Sequence, residues 1–257
     1  MPDSAPFLTG CYVVAERLPP EPSFPFDLPF VSPDFELTFD TPVTLLVGEN
    51  GTGKSTLLES LAALCRLPAG GGGGTELLVR GEASGARLAR ALRPRFRRRP
   101  SSGFFFRAET LYALGNPLEE RDRDPDFLLS AGVKADPFAR YGGGTLHARS
   151  HGEAFLAVMQ HRMTSGLFLL DEPEAALSPQ RQLAFATLID ERVRAGGVQV
   201  ILATHAPLLM TLPGARILHF DGTAIRPCEP EDTAHWQITR SVMANPRAFW
   251  RTARDEA

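Results

Sequence analysis

An α/β fold with a mainly parallel sheet flanked by helices is what this 257-residue sequence predicts, on three observations. VTLLVG at 43–48 is a short continuous apolar run, and the predominantly apolar GLFLLDEPE at 166–174 and VQVILATH at 198–205 read as further buried strands. Runs of this kind belong to strands covered on both faces, as parallel strands are. Segments with helical spacing alternate with them, and parallel neighbours can be joined only by such crossovers. The length is enough to bury one full core, so a single domain over 1–257 is expected.

The elements follow in order. GCYVVAERL reads as a first strand, and PPEPSFPFDLPFVSP, rich in proline, as an ordered surface loop. FELTF alternates like an edge strand, and VTLLVG then ends at a glycine-rich turn from which GKSTLLESLAALCRL continues helically. PAGGGGGTELLVRG is a glycine loop leading into a strand. ARLARALRPRFRRRP starts as a helix and is limited by Pro94 and Pro100. GFFFRAETLYAL runs from strand into helix, and about 117–145 is charged and rich in Gly and Pro, with short helices at most. Phe155, Leu156, Val158 and Met159 place a helix from near Ser150. After GLFLLDEPE, Ser178 as N-cap and Pro179 at the first position open a helix that closes at Gly196 and Gly197. ARILHF and TAIRP form a hairpin through Asp221 and Gly222, and the C-terminal segment is helical.

Composition removes several classes. The apolar runs fall well short of the roughly 20 residues that span a bilayer, so no membrane insertion by this chain is expected. The first residues carry no basic region ahead of their apolar stretch and do not read as a signal peptide. Cys11, Cys65 and Cys228 are scattered singly, without metal or redox spacing, which fits a reducing cytoplasm. A net charge of −3 excludes a polycation. Lys54 and Lys134 are the only lysines among 27 basic residues, so the lysine inside a motif stands out.

That motif is GENGTGKST, Gly48 through Glu49, Asn50, Gly51, Thr52, Gly53, Lys54 and Ser55 to Thr56, which fits G-x-x-x-x-G-K-[ST] between strand and helix. Glycines let backbone N–H groups turn towards phosphate oxygens, and the helix presents its positive end to the same anion. Lys54 reaches the β- and γ-phosphates of a nucleotide, and the Ser55 hydroxyl can ligate Mg²⁺. Asp171 and Glu172 end a buried strand, where ligands of parallel sheets bind. Asp171 suits Mg²⁺, and Glu172 can take a proton from an attacking water. His205, just beyond VQVILAT, can reach a γ-phosphate or that water. The stretch GGGTLHARSHGEAFLAVMQHRM at 142–163 holds His147 and His151 four apart, a metal-like spacing. The helix begins only near Ser150 and no third ligand lies nearby, which argues against a metal there.

The ensemble resembles an ATP-binding-cassette (ABC) type ATPase of the P-loop superfamily, and GENGTGKST, with Asn50, is closer to ABC and SMC/RecF-like loops than to AAA+ ones. Gly48–Thr56 resembles that family's Walker A loop, Leu167–Glu172 its Walker B strand, and Ala176–Ser178 its D-loop. His205 falls where the switch histidine lies. Ser150, His151, Gly152 and Glu153 stand in the place of the signature motif, with Arg149 and His151 departing from it. The resemblance implies a small helical subdomain at roughly 85–165 carrying that signature. It further implies an ATP-dependent homodimer with two ATP molecules at its seam. Each pocket would take Walker A and B from one copy and the signature from the other. Arg107 and Glu109 are the polar residues near the family's Q-loop position, and Tyr12 and Phe30 the aromatics available for adenine.

Three readings remain: a stand-alone ATPase acting in DNA metabolism or defence, the ATP-binding subunit of a transporter, and a regulatory module with little turnover. The stretch from Ser55 to Ser150 is too short for an SMC coiled coil. Glu153 in place of Gln, and the proline-rich N-terminal insert, favour the first reading over a permease partner. Lys54 and Glu172 together disfavour the third. The cluster Arg87, Arg90, Arg93, Arg95, Arg97, Arg98 and Arg99 offers contacts to nucleic-acid phosphates.

Overall fold

The computed structural model describes residues 5–67, 72–73, 84–100, 102–107 and 151–255. Its centre is a seven-stranded sheet. The strands are β3 (Val43–Gly48), β4 (Gly72–Gly73), β6 (Gly103–Arg107), β7 (Gly166–Asp171), β8 (Val198–Ala203), β9 (Arg216–Phe220) and β10 (Ile225–Cys228). They lie in the order β10-β9-β3-β8-β7-β6-β4. The five central strands are parallel, and the two edge strands β10 and β4 are antiparallel to their neighbours. A second, antiparallel sheet has the order β2-β1-β5, from β1 (Leu8–Val13), β2 (Glu36–Thr38) and β5 (Leu92–Phe96).

The continuous apolar runs are explained by two cores, one on each face of the large sheet. Val43, Leu45 and Val47 of β3, Phe168 and Leu170 of β7, and Val200 and Leu202 of β8 enter one core. It is closed by α3 (His151–Arg162), α4 (Pro179–Ala195) and the short α5 (Pro207–Met210). Phe155 of α3 is its keystone, 4.7 Å from the Phe106 ring and 4.9 Å from that of Phe185. The alternate residues Leu46, Leu167, Leu169 and Ile201 enter the other core, shared with α1 (Lys54–Leu64) and the small sheet. Held between two sheets, α1 buries residues all round rather than one stripe.

Gln199 joins the sheets. It is fully buried in β8, and its side-chain oxygen accepts hydrogen bonds from the backbone N–H groups of Phe7 and Leu8 at 2.8 and 2.9 Å. Its amide nitrogen donates to the Leu8 carbonyl at 2.8 Å. Gln199→Leu strands three buried backbone groups, and urea unfolding should show a loss of about 3 kcal/mol. A loss under about 1 kcal/mol would mean that water or a shifted β1 replaces the amide.

The structure revises four sequence-level expectations. RPRF is a strand, β5, rather than the continuation of a helix, which ends after α2 (Ser84–Ala89). Pro94 is tolerated because β5 is the edge of its sheet. The proline-rich N-terminal loop is not wholly surface, since Leu28 and Phe30 are buried. Ser178 is the N-cap of α4 by backbone geometry, but its hydroxyl makes no cap hydrogen bond. Of the segment expected to be a helical subdomain from about 85, β5 and β6 belong to the two sheets, and 108–150 lies outside the described residues. At the C-terminus, α6 (Ala234–Ala244) and α7 (Pro246–Asp255) follow the β9–β10 hairpin. Among the described residues no helix is long and apolar enough to cross a membrane.

Candidate functional site

Strand register brings the predicted residues to one edge. Leu46 of β3 and Asp171 of β7 both pair with Ala203 of β8, and Arg107 of β6 pairs with Asp171. The chain leaves β3, β7 and β8 at this level, so the glycine loop, Glu172 and His205 gather at the carboxyl end of the sheet. β3 lies between β8 and β9, so the chain continues to opposite sides of it, and this switch in strand order opens the crevice.

The loop shape depends on Gly53. Its φ of 95° is left-handed, and a Cβ there would lie 2.6 Å from the Phe30 ring. Phe30 therefore serves as a floor under the loop and packs edge-on to Phe220, so it is not free to stack on adenine. Tyr12 lies beneath the Arg95 guanidinium, 4.9 Å from ring centre to Cζ. Lys54 is buried, and its Nζ donates to the carbonyls of Gly48 and Glu49, each at 2.8 Å. Burial lowers its pKa, against the opposing pull of Glu172, Asp171, Glu49 and Glu174. The lysine thus curls back over its own loop.

Ser55 donates its hydroxyl to Asp171 Oδ1 at 3.0 Å. Asp171 Oδ2 lies 3.7 Å from Arg107 Nε, and Arg107 is itself bonded to the buried Glu59. Burial nevertheless dominates, and the Asp171 pKa rises to about 6 despite Ser55 and Arg107. A buried carboxylate with too little positive charge around it, facing a hydroxyl, is a hard oxygen donor set of the kind Mg²⁺ prefers. The residues therefore fit the cation.

Glu172 follows at φ 48°, ψ 50°, a left-handed conformation that costs a non-glycine residue about 1 kcal/mol. Its amide donates to the Ala203 carbonyl at 3.0 Å, and Pro173 begins a 3₁₀ turn to Ala176, so the strained turn is held from both sides. The kink carries the side chain out of the sheet, where it is 42% exposed and one oxygen is 3.3 Å from His205 Nε2. Burial and then Lys54 lower the pKa of His205, which favours a neutral ring.

Two participants escaped the sequence reading. Glu174 accepts from the Thr204 hydroxyl at 2.7 Å and from the His205 amide at 2.6 Å, and so shapes the turn after β8. His235, in the first turn of α6, places Nε2 2.9 Å from His205 Nδ1 and 4.0 Å from a Glu49 oxygen. Glu174 is signalled by a second acid two residues after Glu172, whereas nothing local to His235 points to it.

Of the signature segment, Ser150 and the His151 side chain lie outside the described residues, as do His147 and Glu109. Gly152 opens α3 against the turn that ends at Ala176, and a Cβ there would lie 2.9 Å from the Ala176 carbonyl oxygen and 2.8 Å from Arg181 Cδ. Glu153 pairs with Arg181 at 2.7 Å. Gly152, Glu153, Ala176 and Arg181 thus form one patch. Much of the arginine cluster lies on or beside β5. There Arg95 is paired with Glu36, and the Arg99 guanidinium lies over Phe96 at 5.0 Å.

Comparison with known proteins adds three findings. Residues 143–211 match a family model described as an AAA domain, putative AbiEii toxin, Type IV TA system, and residues 28–77 match a further AAA domain model. The chain is 30% identical over 196 residues to the cytochrome c biogenesis ATP-binding export protein of Agrobacterium fabrum, covering 71% of this chain and 84% of that protein. It is 35% identical over 191 residues to the protein of the same name from Rhodospirillum rubrum, covering 71% and 76%. The solved SMC head domain from Thermotoga maritima aligns with 87% of this chain and 100% of that one, with a TM-score of 0.44 and 16% identity.

Proposed function

The chain belongs to the family of ABC-type P-loop ATPases, and on that premise we propose that it hydrolyses Mg²⁺-bound ATP between two copies of itself. The observation that carries this reading is the gathering of Lys54, the Ser55–Asp171 pair, Glu172 and His205 at one sheet edge. In it, the loop amides and Lys54 hold the β- and γ-phosphates. Ser55 and Asp171 hold Mg²⁺, which when bound neutralises charge on the phosphate oxygens. Glu172 orients a water and takes its proton, and His205 steadies the γ-phosphate through Nε2. The patch formed by Gly152, Glu153 and Ala176 closes the pocket of the second copy, with Ser150 and His151 at the nucleotide. The seam has two-fold symmetry, so each copy completes the other.

Phosphate release from ATP, measured with and without Mg²⁺, tests the reading; no Mg²⁺-dependent release would overturn it. The pH dependence is specific. Asp171 must be ionised to hold the cation, and burial pushes its pKa up to about 6. Protons therefore compete as pH falls through that value, and the KM for Mg-ATP should rise about tenfold from pH 7.5 to pH 5. Excess Mg²⁺ keeps the nucleotide complexed at both pH values. A flat KM would mean that Asp171 titrates lower or does not face the cation.

A second reading has its own support. The relatives from Agrobacterium fabrum and Rhodospirillum rubrum are named as ATP-binding export proteins, which favours this chain as the ATP-driven subunit of an export assembly. The nucleic-acid reading has less, since Arg95 is engaged with Glu36 and Tyr12. Affinity capture with ATP separates them: membrane components favour the second reading, nucleic acid the action on DNA.

A further inference from the structure

We propose that His235 is a positioning residue that sets the tautomer of His205, so that Nε2 of His205 presents a proton to the nucleotide site. The proposal rests on the ATPase reading above. It starts from two distances. His205 Nδ1 is 2.9 Å from His235 Nε2, and His205 Nε2 is 3.3 Å from a Glu172 oxygen.

A neutral imidazole has one N–H and one bare nitrogen, and partners decide which is which. A carboxylate oxygen only accepts, as does a phosphate oxygen. The nitrogen turned towards Glu172 and the phosphate site is useful there only while it carries the proton. Nδ1 is then the bare nitrogen, and its neighbour must donate, which requires the proton of His235 to sit on Nε2. The relay runs His235 Nε2–H to His205 Nδ1, and His205 Nε2–H to Glu172 or a γ-phosphate oxygen. The ring is half-buried beside Lys54, which works against a second proton, so the tautomer rather than a full charge makes Nε2 a donor. The other charged groups facing the pair are Glu172, Glu174 through the His205 amide, and Glu49 near His235.

His235 is held firmly enough for this role. Thr233, fully buried, caps α6 by accepting from the Trp236 amide at 3.3 Å and donating to the Pro230 carbonyl at 2.7 Å. Glu229 and Asp232 form a reciprocal capping box just before it. The cap sits on Met210 of α5, the helix that begins two residues after His205. Both rings thus stand on one support, with centroids 4.8 Å apart. The arrangement also makes α6 a part of the site.

The test uses the full chain with His235→Ala and His235→Gln. Alanine removes the donor, leaving His205 free to move its proton to Nδ1. Glutamine keeps an N–H near the same position. Losing the partner that orients a functional histidine typically costs about 10–100-fold, so kcat should fall at least about tenfold in His235→Ala, with the KM for ATP within about twofold. His235→Gln should regain most of the rate. Nitrogen-15 NMR of the imidazoles should show Nε2–H for His205 in the parent and Nδ1–H gained in His235→Ala. Unchanged kcat in His235→Ala, no rescue by glutamine, or Nδ1–H in the parent would each overturn the proposal. Absence of ATP turnover in the parent would overturn the ATPase reading instead, and the NMR result would then judge the histidine pair alone.

Discussion

Glu172→Gln should lower ATP turnover by at least about a thousandfold while leaving ATP binding intact, within the range seen when a general base is lost. The side chain keeps its length and can still contact a water, but it can no longer take the proton. Its placement makes the loss severe. The left-handed backbone at 172 turns it out of the sheet, and the Ala203 carbonyl and Pro173 fix that turn. Asp171 faces Ser55, His205 faces Glu172 from the other side, and Glu174 is committed to Thr204 and the His205 amide. With hydrolysis blocked, ATP should stay in the seam and a dimer should accumulate. Light scattering after size exclusion should find roughly twice the chain mass with ATP and Mg²⁺, and the monomer without. Turnover near the parent's would remove Glu172 from the chemistry. A slow variant that stays monomeric with ATP would refute the two-copy arrangement instead.

The contrast between Glu172 and His235 shows what a linear reading can reach. Asp171, Glu172 and His205 each sit within two residues of a strand end, Lys54 and Ser55 follow β3 across one glycine loop, and apolar runs announce those strands. Parallel strands covered on both faces align their carboxyl ends, so the gathering of these residues follows from pattern and topology. Nothing comparable announces His235. It lies 30 positions beyond His205, on a helix whose place depends on the β9–β10 hairpin and on a buried threonine cap. The same limit explains β5. Leu92–Phe96 holds two arginines and a proline and has no strand signature of its own. It becomes a strand because β1 offers an unpaired edge beside the buried Leu88 and Leu92. Phe30 carried a further ambiguity. An aromatic near a nucleotide loop suits either stacking or packing, and only the bare Cα of Gly53 decides for packing.

Lys54→Ala should weaken ATP binding by at least about a hundredfold, with little effect on the empty protein. Charge-assisted hydrogen bonds to phosphate contribute about 1.5–3 kcal/mol each, and two of them account for a factor of this size. The lysine also offsets a local excess of acid, since Glu172, Asp171, Glu49 and Glu174 all lie close enough to act on it. Without it, the triphosphate enters a pocket of its own sign. The empty fold tells a different story. Burial already disfavours the ammonium, as its lowered pKa records, and of the two carbonyls it satisfies, that of the exposed Glu49 can turn to water. The two effects offset, so melting without nucleotide should move by only a few degrees. Added ATP should raise the parent's melting temperature and leave the variant's unchanged, because only a ligand that binds the folded state stabilises it. Lys54→Arg should fail almost as badly, since the planar guanidinium cannot fold back onto the same two carbonyls in so closed a loop. Titration calorimetry supplies the decisive number. An ATP affinity within threefold of the parent's in either variant would show that the backbone amides alone hold the phosphates, and Lys54 would then be a strut for the loop rather than a ligand of the nucleotide.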